Sequence, residues 1–200
     1  MTDQFSVYAV DDNDAQLRLV ASYLDDTGYR LLTFNSARDF LAGTSEAPGC
    51  ILLDNMMPDL SGLEIQSTLI QRYPTLPIIY ISGESTYEEV FTATRNGAYA
   101  FLQKPFTKQK LRDVVAQALE RSTSLMRQDD SSSRHQTLFK RLTDREKEVF
   151  RMLVDGKHNK MISRDLGISL RTAEFHRANI QKKLHANQLS DLIAVAKSLA

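Results

Sequence analysis

Residues 50–62 read CILLDNMMPDLSG, and this stretch decides the fold of the first half of the chain. A short apolar run, Cys50–Leu53, ends at Asp54, and the turn residues 59–62 follow a few positions later. A short run that is apolar throughout and bounded by turn residues predicts a β-strand covered on both faces. The stretch therefore predicts one central strand of a sheet with an acidic residue at its carboxyl end.

Four more apolar runs flank this strand along the chain. They are Val7–Val10, Arg30–Phe34, Ile78–Ile81 and Tyr99–Leu102. Amphipathic stretches alternate with them, at Asp14–Asp26, Ser36–Leu41, Leu63–Arg72, Thr86–Arg95 and Lys108–Arg121. Strands that alternate with helices predict an α/β fold, in which a doubly wound, five-stranded parallel sheet has helices on both faces.

The residues at the carboxyl ends of these strands carry the candidate chemistry. Asp11 and Asp12 follow the first strand, Asp54 the third, Ser82 the fourth and Lys104 the fifth. Ligand sites of open α/β sheets lie at the carboxyl ends of the strands, so these side chains should meet at one edge. Crowded carboxylates repel one another unless a cation lies among them, and oxygen ligands favour Mg²⁺. With a lysine and a hydroxyl added, the set predicts a site for a phosphoryl group.

Taken singly, these residues have simpler interpretations. An aromatic such as Phe101 in an apolar strand is usually part of the core, and Lys104 alone could lie in a solvated turn. The two aspartates after the first strand could cap the next helix, although Asn13 or Asp14 can provide that cap instead. Only the joint pattern predicts the phosphoryl site.

The joint pattern resembles the receiver domain of response regulators over about residues 4–121. The matching positions are Asp11-Asp12, Asp54 with Met57-Pro58 and Gly62, Ser82-Gly83, Phe101 and Lys104-Pro105-Phe106. The resemblance implies a flavodoxin-like fold in which Asp54 accepts a phosphoryl group and forms an aspartyl phosphate. It also implies a Mg²⁺ site, with Asp12 as a direct ligand and Asp11 acting mainly through water. Asp54 and the backbone carbonyl of Met56 complete the implied ligand set.

The same resemblance implies a switch beside the phosphoacceptor. Lys104 pairs with the phosphate, Ser82 forms a hydrogen bond to it after activation, and Phe101 turns inward when Ser82 moves. The peptide bond between Lys104 and Pro105 is expected to be cis, as it is in that family.

The two halves of the chain carry opposite charges. Residues 1–120 contain nine Lys and Arg against 16 Asp and Glu, a net charge of −7, and residues 121–200 contain 16 against nine, a net charge of +7. The basic half is a candidate for nucleic-acid binding. The single cysteine, Cys50, excludes an intramolecular disulfide and predicts a reducing, cytoplasmic location. The first residues have neither a basic segment nor a long apolar one, so no secretory signal is expected. The apolar runs are too short to span a bilayer, so no membrane partner is expected.

The pattern predicts three regions along the chain. Residues 1–121 form the receiver, and residues 122–137 are a polar, exposed linker, which can continue the preceding helix for a few residues. Residues 138–200 form a small all-helical domain. Thr143 and Glu146 predict a capping box at the start of the first helix of that domain. Ser169 and Ser190 are candidate caps for two later helices.

Two of these helices flank Gly167-Ile168-Ser169, a turn of the helix-turn-helix kind. The second helix has two opposite faces at 100° per residue. One face, expected in the core with Arg177 at its rim, contains Ala173, Arg177, Ile180 and Leu184. The other face, expected in the major groove, contains Arg171, Phe175, Ala178 and Lys182, with Glu174 and Asn179 at its margins. The alternative is that this helix packs elsewhere.

This region resembles the LuxR-type DNA-binding domain. The matching residues are 142–149, Gly156, Asn159-Lys160, Ile162, 166–169, 171–180 and Lys183-Leu184. Ala173 stands where that domain usually has Val, and Met161 where it usually has Glu, and neither change breaks the motif. The residues expected to contact DNA are Asn159, Lys160, Arg171, Thr172, Glu174, Phe175, Arg177, Ala178 and Lys182.

The whole chain is thus similar to NarL/FixJ response regulators. This implies a non-enzymatic transcription regulator of a two-component system, with a sensor histidine kinase and double-stranded DNA as partners and a homodimer formed on phosphorylation. One alternative is a phosphate sink whose helical domain binds protein, which a non-specific DNA gel shift would distinguish. Another is a phosphatase of the haloacid dehalogenase type with Asp12 and Asp14 as its motif, but that leaves the basic half unexplained.

Overall fold

The computed structural model describes residues 5–43, 48–58, 62–83 and 86–199. The chain divides into two compact units, residues 1–126 and residues 127–200. Most of the turn expected at 59–62 lies outside the described residues.

The first unit is built on a parallel sheet. Its strands are β1 (Ser6–Val10), β2 (Arg30–Phe34), β3 (Gly49–Asp54), β4 (Ile78–Ser82) and β5 (Ala100–Gln103). They lie side by side in the order β2-β1-β3-β4-β5, and every neighbouring pair is parallel. This is the doubly wound sheet predicted from the alternating pattern, and the reversal of strand order lies between β1 and β3.

Burial differs between the centre and the edges of the sheet. Every residue of β1, β3 and β4 is buried, whereas the edge strands β2 and β5 are partly exposed. The central strands can be apolar throughout because helices cover both of their faces. Asp54 and Ser82 are the last residues of β3 and β4, so both side chains lie at the carboxyl edge.

Helices cover both faces of the sheet. They are α1 (Asp14–Leu24), α2 (Ala37–Gly43), α3 (Gly62–Arg72), α4 (Tyr87–Arg95) and α5 (Lys108–Phe139). Helices α1 and α5 contribute Leu17 and Leu111 to the core on one face, while α2 and α3 contribute Phe40 and Leu69 to the core on the other. The cap of α1 is Asn13, whose side chain accepts a hydrogen bond from the backbone of Ala15.

Helix α5 continues through the whole of the expected linker, and not only through its first few residues. Residues 122–137 are helical and belong to α5, which runs for 32 residues and crosses the division between the two units. No Gly or Pro occurs from Lys108 to Phe139, so nothing in the backbone ends the helix despite its polar composition. Ser122 is buried, donates a hydrogen bond to the carbonyl of Thr75 and accepts one from the amide of Gly49. The first residue of the expected linker is therefore packed within the first unit.

The second unit contains α6 (Asp144–Val154), α7 (Asn159–Asp165), α8 (Leu170–Leu184) and α9 (Leu189–Leu199). Thr143 caps α6 with both hydrogen bonds of a capping box, and Ser169 caps α8 through the amide of Thr172. Gly156 and Gly167 follow α6 and α7 at positive φ, as helix-ending glycines do.

The expected cap of α9 was wrong. Ser190 lies inside α9, and the carboxylate of Asp191 accepts hydrogen bonds from the amides of Asn187 and Gln188. Because a carboxylate can accept both bonds, Asp191 stabilises the start of the helix from its first turn.

The second unit has a core of its own. Its buried residues include Val149, Leu153, Ile162, Ile180 and Leu192. Within the ranges that the structure describes, no helix is long and apolar enough to cross a membrane.

Candidate functional site

A lysine joins two buried carboxylates at the carboxyl edge of the sheet. Nζ of Lys104 lies 2.8 Å from Oδ1 of Asp54 and 2.9 Å from Oδ2 of Asp11. The other oxygen of each carboxylate accepts a backbone hydrogen bond, from Met56 to Asp54 at 2.8 Å and from Asn13 to Asp11 at 2.9 Å. Strands β1, β3 and β5 thus deliver the three charged groups to one point, at the reversal of strand order.

Burial and charge act against each other in this cluster. Burial raises the pKa of Asp54 above its ordinary value, and the hydrogen bond and charge of Lys104 offset only part of that rise. Burial alone would lower the pKa of Lys104, but its hydrogen bonds to Asp54 and Asp11 outweigh burial and hold it above its ordinary value. The lysine is therefore kept charged beside a carboxylate whose charge is only partly compensated.

Asp12 and Met56 lie beside this cluster and not within it. Both side chains are exposed, and both residues line a cleft with Asn55, Gly83 and Thr86. In the part of the chain that the structure describes, no group of three or more His, Cys, Asp or Glu side chains is arranged to hold a metal ion. The three-carboxylate cluster expected from the sequence is thus two carboxylates and a lysine, because Asp11 points inward where Asp12 faces solvent.

The residues of the expected switch lie on β4 and β5, the two strands that follow β3 in the sheet. Ser82 is fully buried at the end of β4, and its carbonyl accepts a hydrogen bond of 2.7 Å from the amide of Lys104. Phe101 on β5 is half-buried and stacks on Tyr80, with ring centroids 6.0 Å apart and an angle of 17° between the planes. The peptide bond between Lys104 and Pro105 is cis.

Sequence reasoning assigned no role to two buried polar residues near this switch, Tyr80 and Gln66. The hydroxyl of Tyr80 donates to the carbonyl of Gly62 at 2.7 Å and lies 3.3 Å from Oε1 of Gln66. Nε2 of Gln66 donates to the carbonyl of Ala93 at 2.9 Å. The sequence offered two signals, a tyrosine inside an apolar strand and a glutamine on an amphipathic helix. Periodicity alone does not show that these two side chains are in contact.

The second candidate site is the exposed face of α8. Ala173, Ile180 and Leu184 are buried in the core of the second unit, as the helical periodicity predicts. The opposite side is exposed, at Arg171, Glu174, Phe175, Ala178 and Lys182. The side chain of Phe175 is 63% exposed, which is unusual for a phenylalanine that has only a packing role.

Helix α7 brings two further expected residues to the same region. Lys160 is exposed, whereas Oδ1 of Asn159 lies 3.4 Å from Nη1 of Arg177 on α8. Thr172 is half-buried, and its hydroxyl lies 2.8 Å from that of Ser169. Asn159 and Arg177, two of the nine residues expected to contact DNA, therefore also join the two helices of the motif, whereas Thr172 contacts the cap of its own helix.

Comparisons with known proteins cover both units. Residues 7–116 match the response regulator receiver domain, and residues 140–196 match the luxR family of bacterial regulatory proteins. The chain is 34% identical to the response regulator protein TmoT of Ectopseudomonas mendocina, over 100% of this chain and 91% of TmoT. It is 36% identical to the transcriptional regulatory protein FixJ of Azorhizobium caulinodans, over 98% of this chain and 93% of FixJ.

Solved structures agree with these relatives. The response regulator StyR is 32% identical, with a TM-score of 0.78 over 97% of this chain and 98% of StyR. Full-length FixJ from B. japonicum is 30% identical, with a TM-score of 0.58 over 98% of both chains. A receiver domain is followed by a LuxR-type DNA-binding domain along the whole chain, and the relatives are transcriptional regulators. The chain therefore belongs to the NarL/FixJ-type response regulators.

Proposed function

We propose that Asp54 is the phosphoacceptor of this response regulator and that a sensor histidine kinase supplies the phosphoryl group. The observation that carries the proposal is the bridge of Lys104 Nζ between Asp54 and Asp11. A buried carboxylate beside a fixed ammonium can act as a nucleophile while the ammonium stabilises the charge that arrives.

The proposed step exchanges one bond to phosphorus for another. A carboxylate oxygen of Asp54 attacks the phosphorus of the kinase phosphohistidine, so that an O–P bond forms and the P–N bond breaks. The imidazole nitrogen of the kinase keeps the bonding electron pair. Lys104 can follow the new phosphate because its Nζ already contacts Asp54 at 2.8 Å.

The acidic residues fit Mg²⁺, the cofactor we propose for this step. The carboxylates of Asp11 and Asp54 converge, and Asp12 lies at the adjoining cleft. Mg²⁺ is commonly held by one or two carboxylates together with waters and a substrate phosphate. Asp12, Asp54 and the carbonyl of Met56 would hold the ion, with Asp11 acting through water. When bound, the ion neutralises charge on the transferring phosphoryl group.

The new phosphate is proposed to act through Ser82 and Phe101. Ser82 forms a hydrogen bond to the phosphate, and Phe101 moves inward beside it. Support comes from the fully buried position of Ser82 and from the adjacent strands β4 and β5, in which Ser82 pairs with Gln103 and Tyr80 with Phe101. A group added to Asp54 can thereby change a surface of the receiver.

The output is regulated binding to double-stranded DNA. The exposed face of α8 is proposed to enter the major groove, with Lys160 on the backbone and Arg171, Glu174, Phe175 and Lys182 near the bases. Thr172, Arg177, Ala178 and Asn159 complete the proposed interface. Phosphorylation is proposed to favour a homodimer in the cytoplasm, so that two helix-turn-helix units bind paired half-sites. The chain acts as a regulator and not as an enzyme on other substrates.

Labelling with acetyl phosphate tests the phosphoacceptor. In the presence of Mg²⁺, Asp54→Asn should not be labelled, whereas the control Asp113→Asn, which changes an exposed carboxylate on α5, should be labelled like wild type. EDTA should block the labelling of wild type, because crowded carboxylates and a phosphate need a cation. Full labelling of Asp54→Asn would show that another residue is the acceptor.

A further inference from the structure

A buried chain of hydrogen bonds connects the start of α3 with α4 beneath the switch aromatic. Tyr80 and Gln66 are 0% and 1% exposed, and Ala93 on α4 is 1% exposed. The hydroxyl of Tyr80 contacts the carbonyl of Gly62 and the Oε1 of Gln66, and Nε2 of Gln66 contacts the carbonyl of Ala93. The large majority of polar groups so deeply buried have a hydrogen-bond partner, because burying an unpaired polar group costs free energy.

The donor and acceptor groups fix the direction of each hydrogen bond between Tyr80, Gln66 and Ala93. The carbonyl of Ala93 can only accept, so the amide nitrogen of Gln66 must face α4 and its oxygen must face Tyr80. The hydroxyl of Tyr80 has one proton, which it shares between two acceptors, Gly62 at 2.7 Å and Gln66 at 3.3 Å. Both acceptors belong to α3, so the hydroxyl of Tyr80 contacts that helix at two points.

One end of this chain of hydrogen bonds lies beside the phosphoacceptor. The amide of Gly62 donates to the carbonyl of Asn55, the residue after Asp54. The packing here is close, because a Cβ added at position 62 would lie 2.6 Å from Cε1 of Tyr80 and 3.0 Å from the carbonyl oxygen of Asp54. A displacement of the backbone beside Asp54 must therefore move Gly62 or Tyr80.

The chain reaches the switch through the ring of Tyr80. Phe101 stacks on that ring at 6.0 Å, with an angle of 17° between the planes. The hydroxyl end of Tyr80 is tied to α3, so its ring is a fixed surface for Phe101. A movement of Phe101 therefore takes place against the ring of Tyr80, which is linked to α4 through Gln66.

We propose that Tyr80 and Gln66 are positioning residues of the phosphorylation switch, which transmit the change at Asp54 and Phe101 to α4. The inference rests on the proposed function, because it assumes that Asp54 is phosphorylated. The two residues take no part in phosphoryl transfer and act only through Gly62, Phe101 and Ala93.

The methyl group of Ala93 can report this coupling in the full chain. We compare its NMR shift without and with beryllofluoride and Mg²⁺, a stable mimic of the aspartyl phosphate. Wild type should show a full shift difference. Tyr80→Phe, which removes one hydroxyl and keeps the ring, should show less than half of it at saturating beryllofluoride. Gln66→Leu breaks the chain at its other link and should give the same loss.

Tyr73→Phe is the matched control. Tyr73 lies in the same core as Tyr80, is also buried, and its hydroxyl has no hydrogen-bond partner among the described residues. Removing that hydroxyl should leave the shift difference of Ala93 at the wild-type value. The double variant Tyr80→Phe/Gln66→Leu should lose no more than either single variant, because both break one chain.

Two results would overturn the proposal. They are an unchanged or larger shift difference in Tyr80→Phe, and a double variant that loses more of the shift difference than either single variant. Acetyl phosphate labelling separates this failure from that of the proposed function. If wild type is not labelled, the proposed phosphoacceptor is wrong. If Tyr80→Phe is labelled normally and still shows the full shift difference of Ala93, only the proposed role of Tyr80 and Gln66 is wrong.

Discussion

Lys104 is the residue on which the acidic site depends. Without it, Asp11 and Asp54 would face each other as two buried carboxylates, each still accepting one backbone hydrogen bond. Removing one partner of a buried polar group costs about 1–3 kcal/mol. Lys104→Met should therefore lower the free energy of unfolding by about that amount at neutral pH. Urea denaturation measures it, with Lys108→Met, which removes an exposed lysine, as the control.

The effect of Lys104→Met should depend on pH in one direction. Burial already holds the pKa of Asp54 above its ordinary value, and the variant removes the main opposing influence. An acid whose folded-state pKa is raised favours folding below its unfolded pKa, near 3.9, and loses this contribution as the pH rises through the folded-state pKa. The difference in the free energy of unfolding between Lys104→Met and wild type should be small below about pH 4 and widen above it. A gap independent of pH would contradict the assigned cause.

Glu146 shows the opposite behaviour in the second unit. Burial alone would raise its pKa, but hydrogen bonds from Lys183 and from the backbone and side chain of Thr143 hold it below its ordinary value. Its contribution to stability is therefore present above the unfolded pKa, near 4.3, and is lost as the pH falls through the folded-state pKa. This acid combines the capping box of α6 with an ion pair of 2.6 Å to α8.

Glu146→Gln tests that double role. We expect it to lower the stability of the second unit at neutral pH by about 1–3 kcal/mol and to remove the loss of stability at acid pH. Glu148→Gln, at an exposed pair with Arg145, should change stability by about 0–1 kcal/mol. The methyl groups of Val149, buried in the core of that unit, report unfolding in the full chain. Equal losses in both variants would show that the buried pair has no special role.

At the level of single residues, the sequence predicts charged groups better than neutral polar ones. Asp11, Asp54 and Lys104 lie together because parallel strands deliver their carboxyl ends to one edge, and strand order follows from pattern. Asp12 was expected in the same cluster, but neighbouring residues after a strand point to different sides. The contact of Tyr80 with Gln66 depends on how α3 packs on the sheet, which periodicity does not contain.

Helix α5 shows why a helix can extend beyond the stretch of sequence that has an apolar pattern. Residues 122–137 have few apolar positions, yet they contain neither Gly nor Pro and continue the helix to Phe139. A proline in a helix interior costs about 3 kcal/mol, because it removes a hydrogen bond and clashes with the preceding turn. Ser132→Pro should therefore melt the helix locally, as seen in the carbon chemical shifts of residues 128–139. Ser132→Ala should keep them helical, and unchanged shifts in the proline variant would contradict a continuous α5.

Substitutions of polar residues on α7 and on α8 should affect DNA binding in different ways. Lys160→Ala should weaken binding to all DNA sequences alike and reduce the salt dependence by roughly one phosphate. Glu174→Ala should relax the preference at one base pair of each half-site, by about 1–3 kcal/mol. Binding-site selection distinguishes the two. Lys157→Ala is the control, because Lys157 is paired with Asp165 at 2.8 Å. A changed sequence preference in Lys160→Ala alone would mean that α7, not α8, reads the bases.

For the whole molecule, the opposite charges of its two halves predict an effect on DNA binding. Residues 1–120 carry −7 and remain attached to residues 121–200, which carry +7. An acidic domain attached to a DNA-binding domain repels the phosphate groups of DNA, and salt screens this repulsion over the Debye length, about 10 Å at 0.1 M salt. The fragment 127–200 should therefore bind non-specific duplex DNA more tightly than the unphosphorylated full chain at low salt.

The difference between fragment and full chain should shrink as salt rises, because the Debye length falls to about 3 Å at 1 M. Fluorescence anisotropy with one duplex at several salt concentrations measures it. A fragment that starts at 127 keeps His135, whose ring contacts Ser198 at 2.8 Å, and the buried Leu138, so its core is intact. Weaker binding by a folded fragment at matched salt would show that the receiver does not oppose DNA binding electrostatically. Regulation would then have to act through dimerisation, which supplies affinity by joining two half-site contacts.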